Sequence, residues 1–499
     1  MDIKIIQGSL TEVSCDVLIV NLFEGVKKPG GGTGAVDSAI DNIISEYVTG
    51  KDDFKGKFKD TYVIPTYGKI PAEKILLVGL GKAEDFDLNR VREVAAKAVK
   101  KSISFLKAKT ICSIVHGAGI AGLDPADCAQ MITEGTIIGA YKFSKYKTKK
   151  EENEYEEPAE FNLVEIDKNK IPELNKGLEK GKIIADAVNY ARDLINEPAS
   201  VVTPTMLAET AKSIQGIECK IINREEAEKM GMGAYLAVAK GSNQPPKFIH
   251  MTYKPANVLK KIAIIGKGLT FDSGGLDIKP ASSMINMKDD MSGAAAVLGV
   301  MNALSVLKPD IEVHGIIAAC ENMPGGKAYK PGDILKAMNG KTIEVDNTDA
   351  EGRLTLADAL VYAENLKVDQ IIDAATLTGA CMVALGYLAS GIFGNDQELI
   401  DSLMKSADKG GERFWQLPMY EEYFEGLKSD VADFKNSGSR WAGASSAALF
   451  LKEFVSETPW VHIDIAGPAF LDKDVKEMLP KGPSGACVRT FLNYILSLG

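Results

Sequence analysis

Seven charged side chains in the second half of the chain are of types that bind metal ions or act beside them. Four are carboxylates and three are cations: Asp272, Asp290, Asp349, Glu351, Lys267, Lys279 and Arg353. Four carboxylates in one cluster would repel one another strongly, and two divalent cations would neutralise them. Oxygen-rich ligation suits zinc, manganese or magnesium. The chain has four histidines, and no two have the spacing of a metal-binding pair, so carboxylates would supply most of the ligands.

Two of the segments that carry these residues adjoin predicted secondary structure: one follows a strand and the other precedes a helix. Residues 266–279 (GKGLTFDSGGLDIK) come directly after an apolar, strand-like run. Open α/β sheets bind ligands where the chain leaves a strand, and glycines let the backbone approach a ligand closely. Lys267 could instead form an ordinary salt bridge with Asp272. Asp289 and Asp290 precede a run of small residues that predicts a helix start, and capping of that helix is their alternative role.

The third segment, residues 346–354 (DNTDAEGRL), concentrates charge. If it is extended, Asp349, Glu351 and Arg353 project to one face. Burying such a face is costly without partners, so either the face is in contact with water or something cationic lies against the carboxylates. The helix predicted for residues 356–363 would hold this segment rigidly.

Apolar runs and helical periodicity predict the elements that position these segments. The predicted strands are 16–20, 75–79, 161–166, 261–265, 311–318 and 370–374, and the predicted helices are 88–106, 172–194 and one beginning after Thr203-Pro204. We therefore predict an α/β protein with an N-terminal domain (1–170), a connecting helix (171–195) and a second domain (196–499).

Composition and charge exclude several classes of protein. A net charge of −10 over 499 residues gives no general attraction for nucleic acid. The seven cysteines are scattered, odd in number and without a CxxC pair, which argues against disulfides and suits a reducing cytosol. The N-terminus predicts a strand rather than a signal peptide, and we expect no membrane span. We therefore expect a cytoplasmic protein that does not bind membranes or nucleic acid.

Some conspicuous residues are predicted to be structural rather than functional. The glycine run 30–34 (GGGTG) lacks the spacing of a P-loop or a dinucleotide fingerprint, so it predicts a mobile surface loop. The adjoining basic and acidic runs within 145–157 predict a solvated loop. His462, Trp441 and Phe450 are candidate core side chains.

Residues 347–354 (NTDAEGRL) match, without a substitution, the eight-residue signature of the leucyl (cytosol) aminopeptidase family. The chain resembles that family from about residue 190 to residue 499, and the other matching segments are 192–198, 203–204, 266–275 with Lys279, 321–324, 375–380 and 462–467. The first 165 residues fit only loosely. The resemblance implies an α/β fold with two domains, an N-terminal macro-like α/β domain and a C-terminal catalytic α/β/α domain with a mixed central sheet.

The resemblance also implies a ligand set for two divalent metal ions. Asp272 and Glu351 look like the carboxylates that bridge both ions. Asp349 would complete the first site, and Lys267 with Asp290 would complete the second, tighter site. A lysine ligand must be neutral, and adjacent cations and burial both lower its pKa. The implied metals are Zn²⁺ or Mn²⁺, with Mg²⁺ or Co²⁺ as further candidates.

Catalytic roles follow from the same resemblance. Lys279 would polarise the scissile carbonyl and stabilise the oxyanion, while Arg353 would hold a bicarbonate that serves as general base. A metal-bridging water would attack, and bicarbonate would pass the proton to the leaving amine. The substrate's free α-amine would bind one metal ion, which restricts cleavage to the N-terminal residue. The matching substrate-binding positions are Thr376, Leu377 and Gly379, with Met287 and Ala469 lining the side-chain pocket.

The implied protein is an aminopeptidase that removes N-terminal, preferentially Leu-like, residues from peptides and assembles as a homohexamer. Two rivals come from other classes. One is a binding or regulatory protein for DNA or ADP-ribose, which the acidic charge and the intact ligand set disfavour. The other is a dinuclear hydrolase of another bond such as a phosphoester, which the lysine ligand and the full signature disfavour. Assays with a leucine chromogenic amide and with a phosphoester would separate them.

Overall fold

The computed structural model describes residues 1–118, 122–149 and 158–499, so residues 150–157 of the predicted solvated loop lie outside it. The chain divides into two compact units. Unit 1 comprises Met1–Asp186 with Lys476–Leu479, and unit 2 comprises Ala187–Val475 with Pro480–Gly499. The division falls inside the long helix Ile171–Asn196. The boundaries predicted at residues 170 and 196 enclose this helix and stay a prediction.

Unit 1 contains a six-stranded sheet with helices. Its strands are β1 (Asp2–Gln7), β2 (Val17–Phe23), β3 (Thr61–Pro65), β4 (Lys74–Gly81), β5 (Thr110–Ile114) and β6 (Glu160–Glu165). The described helices are α1 (Gly31–Ala39), α2 (Leu88–Ser104), α3 (Pro125–Ala140) and α4 (Ile171–Asn196), which continues into unit 2. The strand order is β1-β6-β5-β2-β4-β3, and all neighbours are parallel except β3 with β4.

The central strand β2 shows why this sheet forms. Its sequence VLIVNLF is apolar at six of seven positions and buried along almost its whole length, as expected for a parallel strand covered on both faces. Val17 and Ile19 pack into the core cluster that contains residues of α2, whereas Leu18 and Val20 pack into a second cluster with Val36 of α1. Alternate residues of one strand therefore join two cores, one on each face.

Unit 2 contains a mixed eight-stranded sheet in the order β15-β14-β17-β13-β9-β10-β8-β7. Its strands are β7 (Glu218–Ile222), β8 (Lys247–Tyr253), β9 (Lys260–Asp272), β10 (Ile311–Asn322), β11 (Ile334–Lys336), β12 (Thr342–Glu344), β13 (Gln370–Ala375), β14 (Ala389–Gly394), β15 (Arg413–Gln416), β16 (Phe434–Lys435), β17 (Trp460–Asp464), β18 (Phe470–Leu471) and β19 (Gly482–Pro483). Its helices are α5 (Pro204–Ser213), α6 (Arg224–Lys229), α7 (Gly233–Val238), α8 (Ala281–Met284), α9 (Ser292–Leu307), α10 (Gly352–Asn365), α11 (Gly379–Leu385), α12 (Gln397–Gly410), α13 (Gly443–Lys452) and α14 (Val488–Ser497). The predicted α/β class with a mixed central sheet is confirmed.

The small residues of α9 let this helix lie close to the central strand β9. A Cβ on Gly293 would come within 2.1 Å of the Ala374 carbonyl oxygen, and one on Gly266 within 2.4 Å of the Gly293 backbone. Helix and strands therefore touch through their backbones, which fixes the start of α9 beside the middle of β9 and the end of β13. Among the described residues, one segment, Ala281–Leu307, is long and apolar enough to cross a membrane, but 78% of its most apolar window is buried inside the protein. Such burial is typical of a core helix.

Four expectations outside the main site are settled by the structure. The glycine run predicted as a mobile loop is wrong from Gly31 onward, because these residues form the first turn of α1. Trp441 is wrong as a core residue, because it lies before α13 and is 70% exposed. Phe450 and His462 are fully buried, as predicted. His462 Nδ1 lies 2.6 Å from Asp373 Oδ1, and this bond anchors it in the core.

Candidate metal centre

Three buried carboxylates meet at the carboxyl end of β9. Asp272 is the last residue of β9, Asp290 comes just before α9, and Glu351 immediately precedes α10. Within the described residues they form the one group of metal-ligand type, with one oxygen from each lying within 4.8 Å of the others. The carboxyl end of β9 therefore concentrates negative charge, as expected for a ligand site where the chain leaves a strand.

The structure removes one alternative role and corrects one expectation. The N-cap residue of α9 is Met291, and no side chain caps this helix, so Asp290 does not act as a helix cap. The segment that holds Asp349 is not extended but forms a turn, and Arg353 lies within α10. The period-two argument for a shared face was therefore wrong, because the helix begins at Gly352, earlier than predicted.

Lys267 lies in the middle of the cluster and is 4% exposed. Its Nζ is 2.7 Å from Asp290 Oδ1 and 2.9 Å from Glu351 Oε1. It also donates a hydrogen bond of 3.0 Å to the backbone oxygen of Thr376. Lys267 therefore forms salt bridges with Asp290 and Glu351, and not the one with Asp272 that the sequence also allowed.

Lys279 binds the other side of the cluster. Its Nζ is 2.8 Å from Asp272 Oδ2 and 2.6 Å from Asp349 Oδ1. The turn between Asp272 and Lys279 depends on Gly274 and Gly275, which have φ values of +88° and +70°. Residues other than glycine rarely adopt these angles, so the two glycines direct Lys279 back towards the cluster.

Neutral side chains hold the carboxylates in place. Asn322 donates from Nδ2 to Asp272 Oδ1 at 2.9 Å and to the Thr348 backbone oxygen at 3.0 Å. Tyr329 donates its hydroxyl to the same backbone oxygen at 2.7 Å. Thr376 donates its hydroxyl to Asp290 Oδ1 at 2.7 Å. These bonds restrict the carboxylate rotamers, as a preorganised ligand set requires.

Burial and mutual repulsion shape the electrostatics of the cluster. Burial raises the pKa of Asp290 well above its ordinary value; Lys267 opposes this, and Glu351 and Asp272 add to it. Burial, followed by repulsion from Asp272, raises the pKa of Glu351. For Lys267 burial acts to lower the pKa, but the charges of Asp290 and Glu351 outweigh it and raise the pKa. The carboxylates thus need more positive charge than the lysines provide.

Unpaired oxygens show that the cluster suits metal ions. Asp290 Oδ2 and Glu351 Oε2 are buried, and no hydrogen-bond donor reaches either atom from the described part of the chain. A buried carboxylate oxygen without a partner is costly, and a divalent cation would satisfy it. The donor set of carboxylates around a lysine therefore fits a metal centre.

Arg353 presents a second unsatisfied group, of opposite sign. Its Nη1 donates to the Asn436 backbone oxygen at 2.8 Å, while its buried Nε has no acceptor in the described residues. Burial lowers the pKa of Arg353 to about 10, against the opposing charges of Glu351 and Asp464. A buried guanidinium N–H without an acceptor suits a small planar anion.

The residues predicted to bind substrate differ in how they relate to the cluster. Thr376 contacts it directly, and the Leu377 N–H donates to Asp464 Oδ1 at 3.2 Å. Gly379 begins α11, where an added Cβ would meet nothing within 4 Å. Met287 lies in the turn of 3₁₀ helix before Asp290, and Ala469 is buried after β17. In the described structure the last three make no hydrogen bond to the cluster.

Several supporting residues were not predicted. Asn322 and Asp464 lie in segments 321–324 and 462–467, so the matching segments gave a signal for them. Asp464 accepts from the Leu377 N–H and from the Thr378 hydroxyl, at 3.2 and 2.7 Å. Asn436 had no signal, because it is an isolated residue far along the chain. It accepts from the Asp346 N–H at 2.8 Å and donates to the Asn347 oxygen at 2.7 Å.

Comparison with known proteins adds to this geometry. The sequence model of the cytosol aminopeptidase family's catalytic domain matches residues 189–492, and that of its N-terminal domain matches residues 19–150. A probable cytosol aminopeptidase of Sulfurihydrogenibium sp. (strain YO3AOP1) is 47% identical over 99% of this chain and 98% of its own. One of Aquifex aeolicus (strain VF5) is 45% identical over 100% and 99% of the two chains.

Solved structures of two other enzymes resemble this chain over nearly its whole length. A variant of tomato leucine aminopeptidase superposes with a TM-score of 0.87 at 35% identity, covering 100% of this chain and 96% of its own. The bottromycin maturation enzyme BotP in complex with Mn superposes with a TM-score of 0.84 at 31% identity, covering 97% and 99%.

Proposed function

The chain belongs to the cytosol aminopeptidase family of metal-dependent peptidases, and from that premise we propose that it uses a two-metal centre to remove Leu-like N-terminal residues from peptides. The observation that carries the proposal is the group of three buried carboxylates, Asp272, Asp290 and Glu351, with two unpaired oxygens. The proposed metals are Zn²⁺ or Mn²⁺, with Mg²⁺ or Co²⁺ as further candidates.

The proposed ligand assignment is the one that the family resemblance implies. Asp272 and Glu351 would be shared by both ions, Asp349 would belong to the first, and Lys267 with Asp290 to the second. When bound, the ions would activate a water molecule and polarise the scissile carbonyl. Lys267 would bind as a neutral amine, and its contacts with Asp290 and Glu351 support this role because they place its Nζ beside two of the proposed ligands.

The catalytic cations lie beside these ligands. Lys279 joins Asp272 to Asp349 and is more exposed than Lys267, at 14% against 4% of its side chain. It would donate to the carbonyl oxygen of the scissile bond as negative charge develops there. Arg353 would hold bicarbonate through its free Nε, and the anion would supply a general base.

The substrate would be held by the chain that leaves β13. Backbone groups of Thr376, Leu377 and Gly379 would bind the peptide, and the open space at Gly379 leaves room for it. Met287 and Ala469 would line an apolar pocket for the first side chain. Such pockets separate aliphatic side chains only modestly, by about 1–3 kcal/mol per methylene.

We further propose a cytoplasmic homohexamer. Family membership is the main support. Unit 2 also exposes large apolar side chains, among them Val383, Ile285 and Trp441, which are 89%, 77% and 70% exposed. A contact between subunits would remove such side chains from water.

The test is hydrolysis of leucine p-nitroanilide by protein stripped of metal and then given Zn²⁺, Mn²⁺, Co²⁺ or Mg²⁺. We expect metal-restored cleavage that is lost with an N-acetylated substrate and in Asp349→Ala. The matched control is Asp346→Ala in the same turn, whose side chain is 48% exposed and touches none of the cluster residues in the described structure. Cleavage of p-nitrophenyl phosphate instead, or no cleavage by folded protein with any metal, would refute the proposal.

A further inference from the structure

We propose that Asp464 and Thr378 are positioning residues for the peptidase reaction, which together hold the segment 376–379 that is proposed to bind the peptide. The inference rests on the proposed function and deepens it, because it gives a role to two buried side chains that are neither metal ligands nor substrate contacts. Its evidence is a chain of hydrogen bonds that ties this segment at both ends.

The sheet of unit 2 places Asp464 beside the start of the segment. Asp464 is the last residue of β17, and Ala375 is the last residue of β13. The two strands are parallel neighbours, and these two residues lie opposite each other. The segment begins where the chain leaves β13, so the pairing brings a carboxylate to Leu377 across 87 positions of sequence.

Both carboxylate oxygens of Asp464 accept hydrogen bonds from the segment. Oδ1 accepts from the Leu377 N–H at 3.2 Å and from the Ala466 N–H at 3.1 Å. Oδ2 accepts from the Thr378 hydroxyl at 2.7 Å. Within the described part of the chain, no other side chain bonds to Leu377 or Thr378. One carboxylate therefore holds two consecutive residues of the segment through charge-assisted bonds.

Burial makes these bonds hard to replace. Asp464 is 0% exposed. Burial raises its pKa, and the charge of His462 and the bond from the Thr378 hydroxyl oppose that rise. A buried carboxylate oxygen that loses its donor cannot turn to water for another, so the loss is costly. The position of Thr378 is thus coupled to that of Asp464.

Thr378 passes this constraint on to the residue that follows it. Thr378 is the N-cap of α11, and its hydroxyl oxygen accepts from the Cys381 N–H at 3.0 Å while the hydroxyl donates to Asp464. Helix α11 begins at Gly379. Because one hydroxyl makes both bonds, the first turn of α11, including Gly379, is fixed relative to Asp464.

The other end of the segment is tied to the proposed metal centre. The Thr376 hydroxyl donates to Asp290 Oδ1 at 2.7 Å, and the Thr376 backbone oxygen accepts from Lys267 Nζ at 3.0 Å. Loss of the Asp464 anchor would leave these bonds in place but release the backbone groups of Leu377 and the start of α11. We therefore expect weaker substrate binding at an intact metal centre.

The test compares Thr378→Val with Thr378→Ser, by kcat and KM on leucine p-nitroanilide and by bound metal per chain. Valine has the shape of threonine without its hydroxyl, whereas serine keeps the hydroxyl. Backbone bonds to the peptide act in the ground state and in the transition state alike, so their loss raises KM and leaves kcat unchanged. In Thr378→Val we expect KM to rise by about tenfold or more, with kcat and bound metal within about twofold of the wild type. In Thr378→Ser we expect KM within about threefold of the wild type.

Two further variants separate this bond from other effects. Asp464→Asn keeps the cap of α11 but replaces one acceptor oxygen with an amide nitrogen, so KM should rise as in Thr378→Val. Its kcat should fall as well, because the charge of Asp464 also acts on Arg353. Thr133→Val is the matched control in unit 1, where the buried Thr133 hydroxyl donates to the Ala129 oxygen at 2.8 Å. It should lower Tm and leave KM unchanged.

The outcomes distinguish this inference from the proposed function. A folded wild type that does not cleave leucine p-nitroanilide with any metal would refute the proposed function, and this inference with it. With an active wild type, three results would refute the role of Thr378 and Asp464 alone. They are an unchanged KM in Thr378→Val, an equal rise in KM in Thr378→Ser, and loss of bound metal in Thr378→Val.

Discussion

Gly352 makes room for Lys267, and Gly352→Ala is therefore expected to damage the proposed metal centre while leaving the fold intact. A Cβ at this position would lie 2.5 Å from Lys267 Cε and 2.6 Å from its Nζ. Since carbon atoms prefer separations of about 3.5 Å or more, the lysine would have to move by about 1 Å. That shift would break its contacts with Asp290, Glu351 and the Thr376 oxygen, which are 2.7, 2.9 and 3.0 Å long.

The expected effect on stability is smaller than the effect on activity. Alanine at the first position of α10 gains about 0.5–1 kcal/mol over glycine in a helix, and overpacking costs about 1–3 kcal/mol. The net loss is therefore about 0–2.5 kcal/mol, which leaves the protein folded. A misplacement of about 1 Å at a catalytic site costs about 100-fold in rate.

The assay is kcat/KM on leucine p-nitroanilide at several metal concentrations, with Tm measured in parallel. We expect kcat/KM to fall by about 100-fold and metal affinity by about 10–100-fold. Gly326→Ala is the control, because a Cβ at Gly326 would meet nothing within 4 Å. Wild-type kcat/KM and metal affinity in Gly352→Ala would show that the position of Lys267 does not matter to the centre.

Two further predictions concern other buried side chains, Arg353 and His116. Arg353→Lys keeps a positive charge but loses the planar guanidinium that would hold bicarbonate. In carbonate-depleted buffer, kcat should fall by about 100-fold and added bicarbonate should no longer stimulate the reaction. An unchanged response to bicarbonate would contradict the proposed role of Arg353. His116 has a folded-state pKa of about 4 and an unfolded value of about 6.5, so the unfolded chain binds more protons between these values and stability falls as the pH is lowered through that window. The Asn21 side-chain amide donates to His116 Nδ1 at 2.9 Å, and a glutamine at position 116 could still accept this bond. Between pH 7 and pH 5 the unfolding free energy of the wild type should fall by about 2 kcal/mol more than that of His116→Gln. Parallel urea-unfolding curves for the two proteins would refute this.

The sequence correctly predicted helices and strands that depend on a local pattern of apolar residues. It failed for a segment whose conformation depends on contacts with residues distant in sequence. The helix predicted over 172–194 is present as α4, and the strand predicted over 261–265 is the core of β9, because long apolar periodicity is a local property. The extended conformation predicted for residues 346–351 was wrong, and in the structure Asn436 holds this segment in a turn. Its amide bonds to backbone groups of Asp346 and Asn347 across about 90 positions of sequence. No period or motif in either segment encodes that contact.

The glycine run of unit 1 shows the same limit from the other side. Its spacing fits neither nucleotide motif, and the absence of a motif predicted a loop. In the structure Gly31 begins α1, and Thr33 is bonded to the end of β2. The surroundings of the run, which include Leu10 and Ile114, come from the other strand ends. A motif describes one segment, whereas the surroundings of these glycines come from several.

The two lysines of the centre show what geometry adds to a matched motif. An ammonium group has three donors. Lys267 uses all three, on Asp290, Glu351 and the Thr376 oxygen, within normal bond lengths. Lys279 uses two, on Asp272 and Asp349, and no third acceptor is present among the described residues. Only Lys279 therefore keeps a donor for a substrate carbonyl, whereas Lys267 would have to give up its ammonium contacts with Asp290 and Glu351 to become the proposed neutral metal ligand.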